Sequence, residues 1–335
     1  MSGTILTLVG SIALVLIAAI LFINTIEWLG HRFKLGGSFV GAILAPLFTS
    51  FPELIIFLVA IFSLGNTAGE SIGLGTLFGQ PFMASSLSYG LVGIAVFLGY
   101  LLHRRKEPTM QVQGSLAIPY IFITILFPLT VIPSLFPYTA VKYAFSAIFL
   151  AGFLLYMWLM YRRKSEQVIE EAGVVYIARL LPHKEKVVLA GAMTQLGLAV
   201  GLLYLGSEKM VGTVRSLSDT INVSPLGLAL IIIPIATAIP ETISAIIWGF
   251  RGKDTLSLGS LVGEKILYST FYPGLGLVLT AWDLDKHAYL SIVATTSISL
   301  ILLAYVLRTR IPWYGMLFGL GFFIVYAVLV LAIKF

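Results

Sequence analysis

Ten apolar stretches, none shorter than twenty residues, follow one another along this chain, at about 4–24, 37–64, 71–101, 114–136, 139–161, 187–206, 224–250, 256–281, 287–307 and 311–333. Roughly 20 apolar residues in a helix cross the hydrocarbon of a bilayer. Hydrocarbon offers no water to a peptide group, so a spanning segment is a helix or part of a closed barrel. Barrel strands alternate in polarity over ~10 residues, whereas a run such as Ile12-Ala13-Leu14-Val15-Leu16-Ile17 does not alternate. The pattern predicts an all-α polytopic membrane protein with ten transmembrane helices. Charged residues make up 11% of the 335, less than half of the ~25% of soluble proteins, which excludes a water-soluble enzyme. The first stretch lacks a basic lead and a cleavage site, so it is read as a span and not as a signal peptide.

The basic residues orient the spans. With the amino terminus outside, fifteen Lys and Arg fall in inside connections, including Arg32, Arg104, Arg105, Arg162, Arg163, Lys164, Arg251 and Arg308. Five fall outside (Lys142, Lys209, Arg215, Lys286 and Lys334), and Lys265 lies within a span. The positive-inside rule then places both termini on the extracellular side. It also accounts for the net charge of +6 without a nucleic-acid partner, each basic run being read as a solvated loop facing lipid headgroups. The chain has no cysteine, hence no disulfide and no thiolate ligand. The histidines His31, His103, His183 and His287 fall in polar connections, which argues against haem or a buried zinc. No cofactor is expected. An intramembrane enzyme lacks a nucleophile–histidine pair inside the spans.

A repeat divides the chain. Ala-Pro-Leu-Phe-Thr-Ser-Phe-Pro-Glu at 45–53 matches Ile-Pro-Ile-Ala-Thr-Ala-Ile-Pro-Glu at 233–241, which pairs Pro46 with Pro234, Thr49 with Thr237, Pro52 with Pro240 and Glu53 with Glu241, each 188 apart. Leu-Gly-Thr-Leu-Phe-Gly-Gln at 74–80 matches Leu-Gly-Ser-Leu-Val-Gly-Glu at 258–264 with an offset of 184. Five spans separate the copies, so the second enters from the opposite side. Two inverted five-helix repeats follow: residues 1–161 with motif 45–84, a cytoplasmic linker at 162–186, and residues 187–335 with motif 233–268. Inverted repeats with broken helices are the plan of secondary transporters, and the Pro-x5-Pro-Glu spacing suits a broken helix because proline removes a backbone donor.

Glu53 and Glu241 lie deep in apolar runs, where a carboxylate is costly. A symmetric pair beside threonine and proline is expected to hold a cation. Hard cations take six to eight oxygens, which Thr49, Ser50 and Thr237 can extend with hydroxyl or carbonyl oxygen. Ser50 is matched by Ala238, so the second copy supplies one hydroxyl fewer. Gln80 and Glu264 follow Gly79 and Gly263 in small-residue segments that permit close packing and can reach the same site. Glu264 has an alternative in an ion pair with Lys265, although adjacent helix residues do not face each other. In the site itself, Lys265 would cancel part of the negative charge. Tyr268 is read chiefly as packing, Asn24 and Glu27 as interfacial, and Trp28, Trp158, Trp282 and Trp313 as belt aromatics.

At these residues the sequence resembles the cation/Ca²⁺ exchanger superfamily, nearest to prokaryotic sodium/calcium exchanger membrane proteins. That family pattern is roughly Gly-Thr-Ser-x-Pro-Glu followed by Gly-Ser-Asn-x-x-Asn/Asp. The resemblance implies that Glu53 and Glu241 are central ligands, Thr49, Ser50 and Thr237 flanking oxygens, and Pro46 and Pro234 carbonyl positions. It also implies a location in a prokaryotic cell membrane. The second motif departs: the family serine is Gln80 and Glu264, the Gly-Ser-Asn asparagine is Pro81 and Lys265, and the final Asn/Asp is Ala84 and Tyr268. The expected function is secondary antiport of Ca²⁺, or a similar divalent cation, against Na⁺ by alternating access. Proton coupling is the alternative, because a carboxyl in apolar surroundings holds a proton readily. A cation channel using the same glutamates is a further class, distinguished by needing no counter-ion.

Overall fold

A computed structural model describes residues 2–32, 50–136, 138–162, 175–177 and 185–331. Pro46 and Thr49, most of the 162–186 linker and the first part of the 37–64 stretch lie outside the described residues. The described chain is helical apart from one short ribbon. In order the elements are α1 (Ser2–Arg32), α2 (Phe51–Leu64), α3 (Thr67–Met83), a π-helical turn (Ala84–Ser88), α4 (Tyr89–Leu101), β1 (Thr109–Gln111), a 3₁₀ turn (Gly114–Leu116), α5 (Ala117–Leu129), α6 (Ile132–Leu135) and α7 (Thr139–Arg162). Then come α8 (Glu185–Ile221), α9 (Pro225–Thr237), α10 (Ile239–Phe250), α11 (Asp254–Ser269), α12 (Phe271–Leu279), α13 (Lys286–Val306), β2 (Arg310–Pro312) and α14 (Trp313–Leu331).

Among the described residues seven helices are long and apolar enough to cross a membrane, and eight if the bent α9–α10 pair counts as one span. The 256–281 stretch is two helices, α11 and α12, broken at Thr270. The 187–206 stretch is longer than expected: α8 runs 37 residues to Ile221, about 55 Å at 1.5 Å per residue, so Lys209 and Arg215 stand on its last turns and not in a loop. The expected helical architecture is joined by one short ribbon, β1 and β2. They pair antiparallel, with Met110 opposite Ile311, because the connections after α4 and α13 lie side by side and satisfy each other's backbone groups.

Caps fix where the core helices begin. Asn66 accepts from the Gly69 amide at 3.0 Å to start α3. Ser224 does the same for Gly227 at the start of α9, and Asp285 accepts from His287 and Ala288 to start α13. Helix α1 packs along α8, α3 along both α2 and α9, and α4 along α10 and α14. The α3–α9 approach depends on glycine. A Cβ on Gly79 would sit 2.8 Å from the Leu230 carbonyl oxygen and from Pro234 Cγ, and one on Gly75 would sit 2.7 Å from the Leu226 oxygen.

First-turn acids tie the core helices to distant loops. Glu70 on α3 accepts the Ala281 amide at 2.8 Å. Asp254 on α11, 184 residues later, accepts the Gln111 amide at 2.7 Å. Arg105 also grips Asp254 with two 3.1 Å bonds and donates to the carbonyls of Gly249 and Thr109. Both side chains are buried, so Arg105 is not the solvated loop charge expected from sequence. Burial holds the Asp254 carboxyl above its ordinary range, and the Gln111 amide and Arg105 pull it part of the way back. Two other expectations change. Trp282 is no belt residue: it is 1% exposed and its Nε1 donates to the Thr130 carbonyl. His287 is fully buried, with its ring against Gly227 and edge-on to Tyr326.

Gly79→Ala forces apart backbone that cannot yield, and the expected loss is about 1–3 kcal/mol. It shows as a lowered unfolding midpoint in detergent, while Gly197→Ala, with open space at its Cβ, leaves the midpoint unchanged. Arg105→Met strands the Asp254 carboxylate and is expected to cost about 3–5 kcal/mol. The Arg105→Met/Asp254→Asn pair recovers most of that loss in the same measurement.

Candidate cation site

The site is built at the starts of two short helices. Glu53 falls in the first turn of α2 and Glu241 in the first turn of α10. Pro52 and Pro240 stand just ahead of them, where a missing N–H leaves no helix bond unmade. A helix N-terminus presents free amides and a partial positive charge, the setting that best tolerates a carboxylate away from water. In the second copy the preceding half-helix is described: α9 ends at Thr237, α10 starts at Ile239, and their axes bend by 63°. This is the break anticipated from the proline spacing. At the bend the Ala238 amide returns to the Pro234 carbonyl at 2.8 Å, so that carbonyl already accepts one bond.

Four elements bring oxygens together here. Glu53 is 3% exposed and Glu264 is 6% exposed. The Thr237 hydroxyl faces Glu53 and lies 3.3 Å from the Ile233 carbonyl. Glu264 Oε2 accepts from Gln80 Nε2 at 3.2 Å, so the paired positions of the two copies touch each other directly. The Tyr268 hydroxyl lies within the electrostatic reach of Glu53, Glu264 and Glu241. Glu53 Oε2, Gln80 Oε1 and the Tyr268 hydroxyl are buried with no hydrogen-bond partner among the described residues. Buried polar atoms are rarely left so.

Two residues have larger roles than their sequence positions suggested. Tyr268 does more than pack, since its buried hydroxyl has no hydrogen-bond partner among the described residues. Tyr272, one turn on, with its ring tilted against that of Tyr268 at 4.7 Å between centroids, shares its hydroxyl proton between the carbonyl and side-chain oxygens of Ser50, each 2.8 Å away. Ser50, at the N-cap position of α2, makes no side-chain cap there, and its oxygens accept from Tyr272. The Tyr-x-x-x-Tyr spacing was the only available signal for Tyr272. Ala84 opens the π-helical turn that follows Pro81, and Ser88 in that turn bonds Thr242, the neighbour of Glu241, at 2.8 Å. Lys265 does not join Glu264. Its ammonium turns to Ser299 and the rings of Tyr89 and Tyr120.

The donor set is made of oxygen throughout. Among the described residues no three acidic or imidazole side chains are grouped closely enough to hold a metal ion by themselves, so any cation held here would need hydroxyl and carbonyl oxygens as well as carboxylates. That mixture is of the kind that hard cations take.

Comparison with known proteins agrees in fold and family. The family described as sodium/calcium exchanger protein matches residues 3–162 and 192–333. The putative antiporter CaxA of Alkalimonas amylolytica is 27% identical over 184 residues, which is 52% of this chain and 57% of CaxA, little more than half of that relative's length. The crystal structure of an H⁺/Ca²⁺ exchanger, CAX, superposes with a TM-score of 0.75 at 17% identity, covering 98% of this chain and 82% of that one. The sodium-calcium exchanger NCX_Mj superposes with a TM-score of 0.58 at 15% identity, covering 97% and 98%. At these identities the two structures speak for the fold. With the family pattern running through both halves of the sequence, the chain belongs to the sodium/calcium exchanger protein family.

Proposed function

We propose that this protein is a membrane antiporter that exchanges Ca²⁺, or a similar divalent cation, for monovalent cations at a site shared by Glu53 and Glu241. The observation that carries the reading is the set of buried oxygens without partners, Glu53 Oε2, Gln80 Oε1 and the Tyr268 hydroxyl, gathered where two half-helices start. Orphaned acceptors in a low-dielectric interior attract a cation strongly. Glu53 and Glu241 are the central ligands, with Ser50, Thr49 and Thr237 supplying further oxygen, the carbonyls of Pro46 and Pro234 completing the shell, and Gln80 and Glu264 closing it from α3 and α11.

The architecture that serves this function is ten helices in two inverted repeats, 1–161 and 187–335, joined by a cytoplasmic linker at 162–186. The equal offset of Glu70 and Asp254, each holding a loop amide of the other half, supports it. In alternating access, α1 and α8 move across the core only when the carboxylates are neutralised by either cargo. An empty, charged site resists the passage because bare buried charge is expensive. That rule makes an exchanger and not a leak. Both termini face outward, in a prokaryotic cell membrane.

Na⁺ and H⁺ are the two counter-ion readings. The observation that favours H⁺ is the loss of side-chain oxygen at Ala84, which leaves one ligand fewer for a second metal cation, beside a buried Tyr268 hydroxyl with no hydrogen-bond partner among the described residues. Binding of Ca²⁺ then releases the carboxyl protons, and their return releases Ca²⁺. In proteoliposomes, ⁴⁵Ca²⁺ uptake is expected to follow an outward H⁺ gradient, and uptake driven by an outward Na⁺ gradient alone selects the Na⁺ reading. Glu53→Gln and Glu241→Gln are each expected to lower uptake by more than about tenfold with normal folding. Full uptake in both variants refutes the site, and Ca²⁺ flux without a counter-ion on the far side refutes antiport.

A further inference from the structure

The second block of the repeat runs on beyond Gln80 and Glu264. With the offset of 184 held, Ser85, Gly90 and Leu91 fall on Ser269, Gly274 and Leu275. Both copies lose regular helix at the same place. In the first it is the π-helical turn Ala84–Ser88. In the second, α11 ends at Ser269, α12 begins at Phe271, and the residue between them, Thr270, is the equivalent of Ser86. The local cause is shared as well. Ser86 Oγ donates to the Phe82 carbonyl, and Thr270 Oγ1 donates to the carbonyl of Ile266, the equivalent of Phe82. A hydroxyl turned back on the carbonyl four residues earlier competes with the helix bond and bends the helix. Two places further on stand Ser88 in the first copy and Tyr272 in the second, each 1% exposed.

Each of these two side chains reaches the other copy, at the start of its glutamate-bearing half-helix. Ser88 Oγ and the hydroxyl of Thr242, the residue after Glu241, are hydrogen-bonded at 2.8 Å. The Tyr272 hydroxyl donates to Ser50, the N-cap of α2, three residues before Glu53. The two targets are not equivalent, since Ser50 matches Ala238 and Thr242 matches Leu54. What recurs is the reach to the half-helix start, made by a short side chain in one copy and a long one in the other. We propose that Ser88 and Tyr272 are positioning residues, each fixing the half-helix that carries the other copy's glutamate, and that together they set the size of cation the shared site accepts. The proposal rests on the shared-site reading above. Selectivity among hard cations follows from cavity size and from the flexibility of the ligands. Carboxylates on two separate half-helices define one size only while those half-helices are held in place. Neither Ser88 nor Tyr272 is itself a ligand; they act through Glu241 and Glu53.

The readout is displacement of ⁴⁵Ca²⁺ from the purified full chain in detergent, by Ca²⁺ and by the larger Ba²⁺. The parent is expected to prefer Ca²⁺. Ser88→Ala, Thr242→Val and Tyr272→Phe each remove one hydroxyl, and each is expected to narrow that preference by about fivefold, the size of one lost hydrogen bond. Ser88→Ala/Thr242→Val is expected to narrow it no further than either single change, because both break the same bond. Thr242→Ser keeps the hydroxyl and is expected to restore the parent preference. A role in packing alone weakens both ions together, so an unchanged Ca²⁺ to Ba²⁺ preference in Ser88→Ala and Tyr272→Phe overturns the proposal. The chain has no cysteine, so spin labels can be placed cleanly at Phe62→Cys on α2 and Ile247→Cys on α10, both exposed. The distribution of distances between the labels is expected to broaden in Ser88→Ala and in Tyr272→Phe, and an unchanged distribution in both also overturns the proposal. If the parent holds no divalent cation, the shared-site reading fails, and the label distances still decide whether these two residues fix the half-helices.

Discussion

A carboxylate removed from water must be given something in its place, and in this protein the replacement is the start of a helix. Glu53 and Glu241 each stand in the first turn of a short helix that begins inside the apolar body, where unmade amide bonds and the helix dipole offset negative charge. Everything nearby serves those two starts. The proline before each glutamate fits the first turn, the 63° bend separates α9 from α10, and Gly75 and Gly79 let α3 close against α9 with backbone at van der Waals limits. The compensation is incomplete, because oxygens remain without donors. A site that is tolerable when ionised, but not satisfied, is one that a cation can enter and leave.

The second layer of the structure holds this arrangement in register. Glu70 and Asp254 reach across to loop amides of the opposite half, and Arg105 ties the α10–α11 junction to the loop after α4 through a buried ion pair. Gln195 on α8 is fully buried and donates to Leu21, Asn24 and Thr25 of α1, which couples the two long helices proposed to move together. A buried network of this kind specifies one packing more than it adds stability.

The sequence announced some of this through local pattern and withheld the rest because it depends on contacts far along the chain. Paired prolines and glutamates in apolar runs could be read directly, since few structures other than broken helices tolerate them, and the α9–α10 bend follows from that spacing. The contact of Gln80 with Glu264 was within reach because repeat symmetry puts equivalent positions together. Tyr272 was hidden because a tyrosine in an apolar run looks like packing until its hydroxyl finds Ser50. Arg105 looked like any loop charge until Asp254, far along the chain, proved to be beside it. Trp282 and His287 were assigned to polar edges by their neighbours in sequence, whereas the chain folds back over both. The length of α8 was underestimated because its last turns carry the polar residues Glu208, Lys209 and Arg215, which hydropathy reads as a loop and helix propensity does not.

The claim that two half-helix starts share one cation is tested most directly by locating the cation. Crystals of the protein grown with a divalent ion visible by anomalous scattering are predicted to show one peak within about 2.3–2.6 Å of carboxylate oxygens from both Glu53 and Glu241, lost in Glu241→Gln. A bound ion held by only one of these residues, or by neither, would contradict the account.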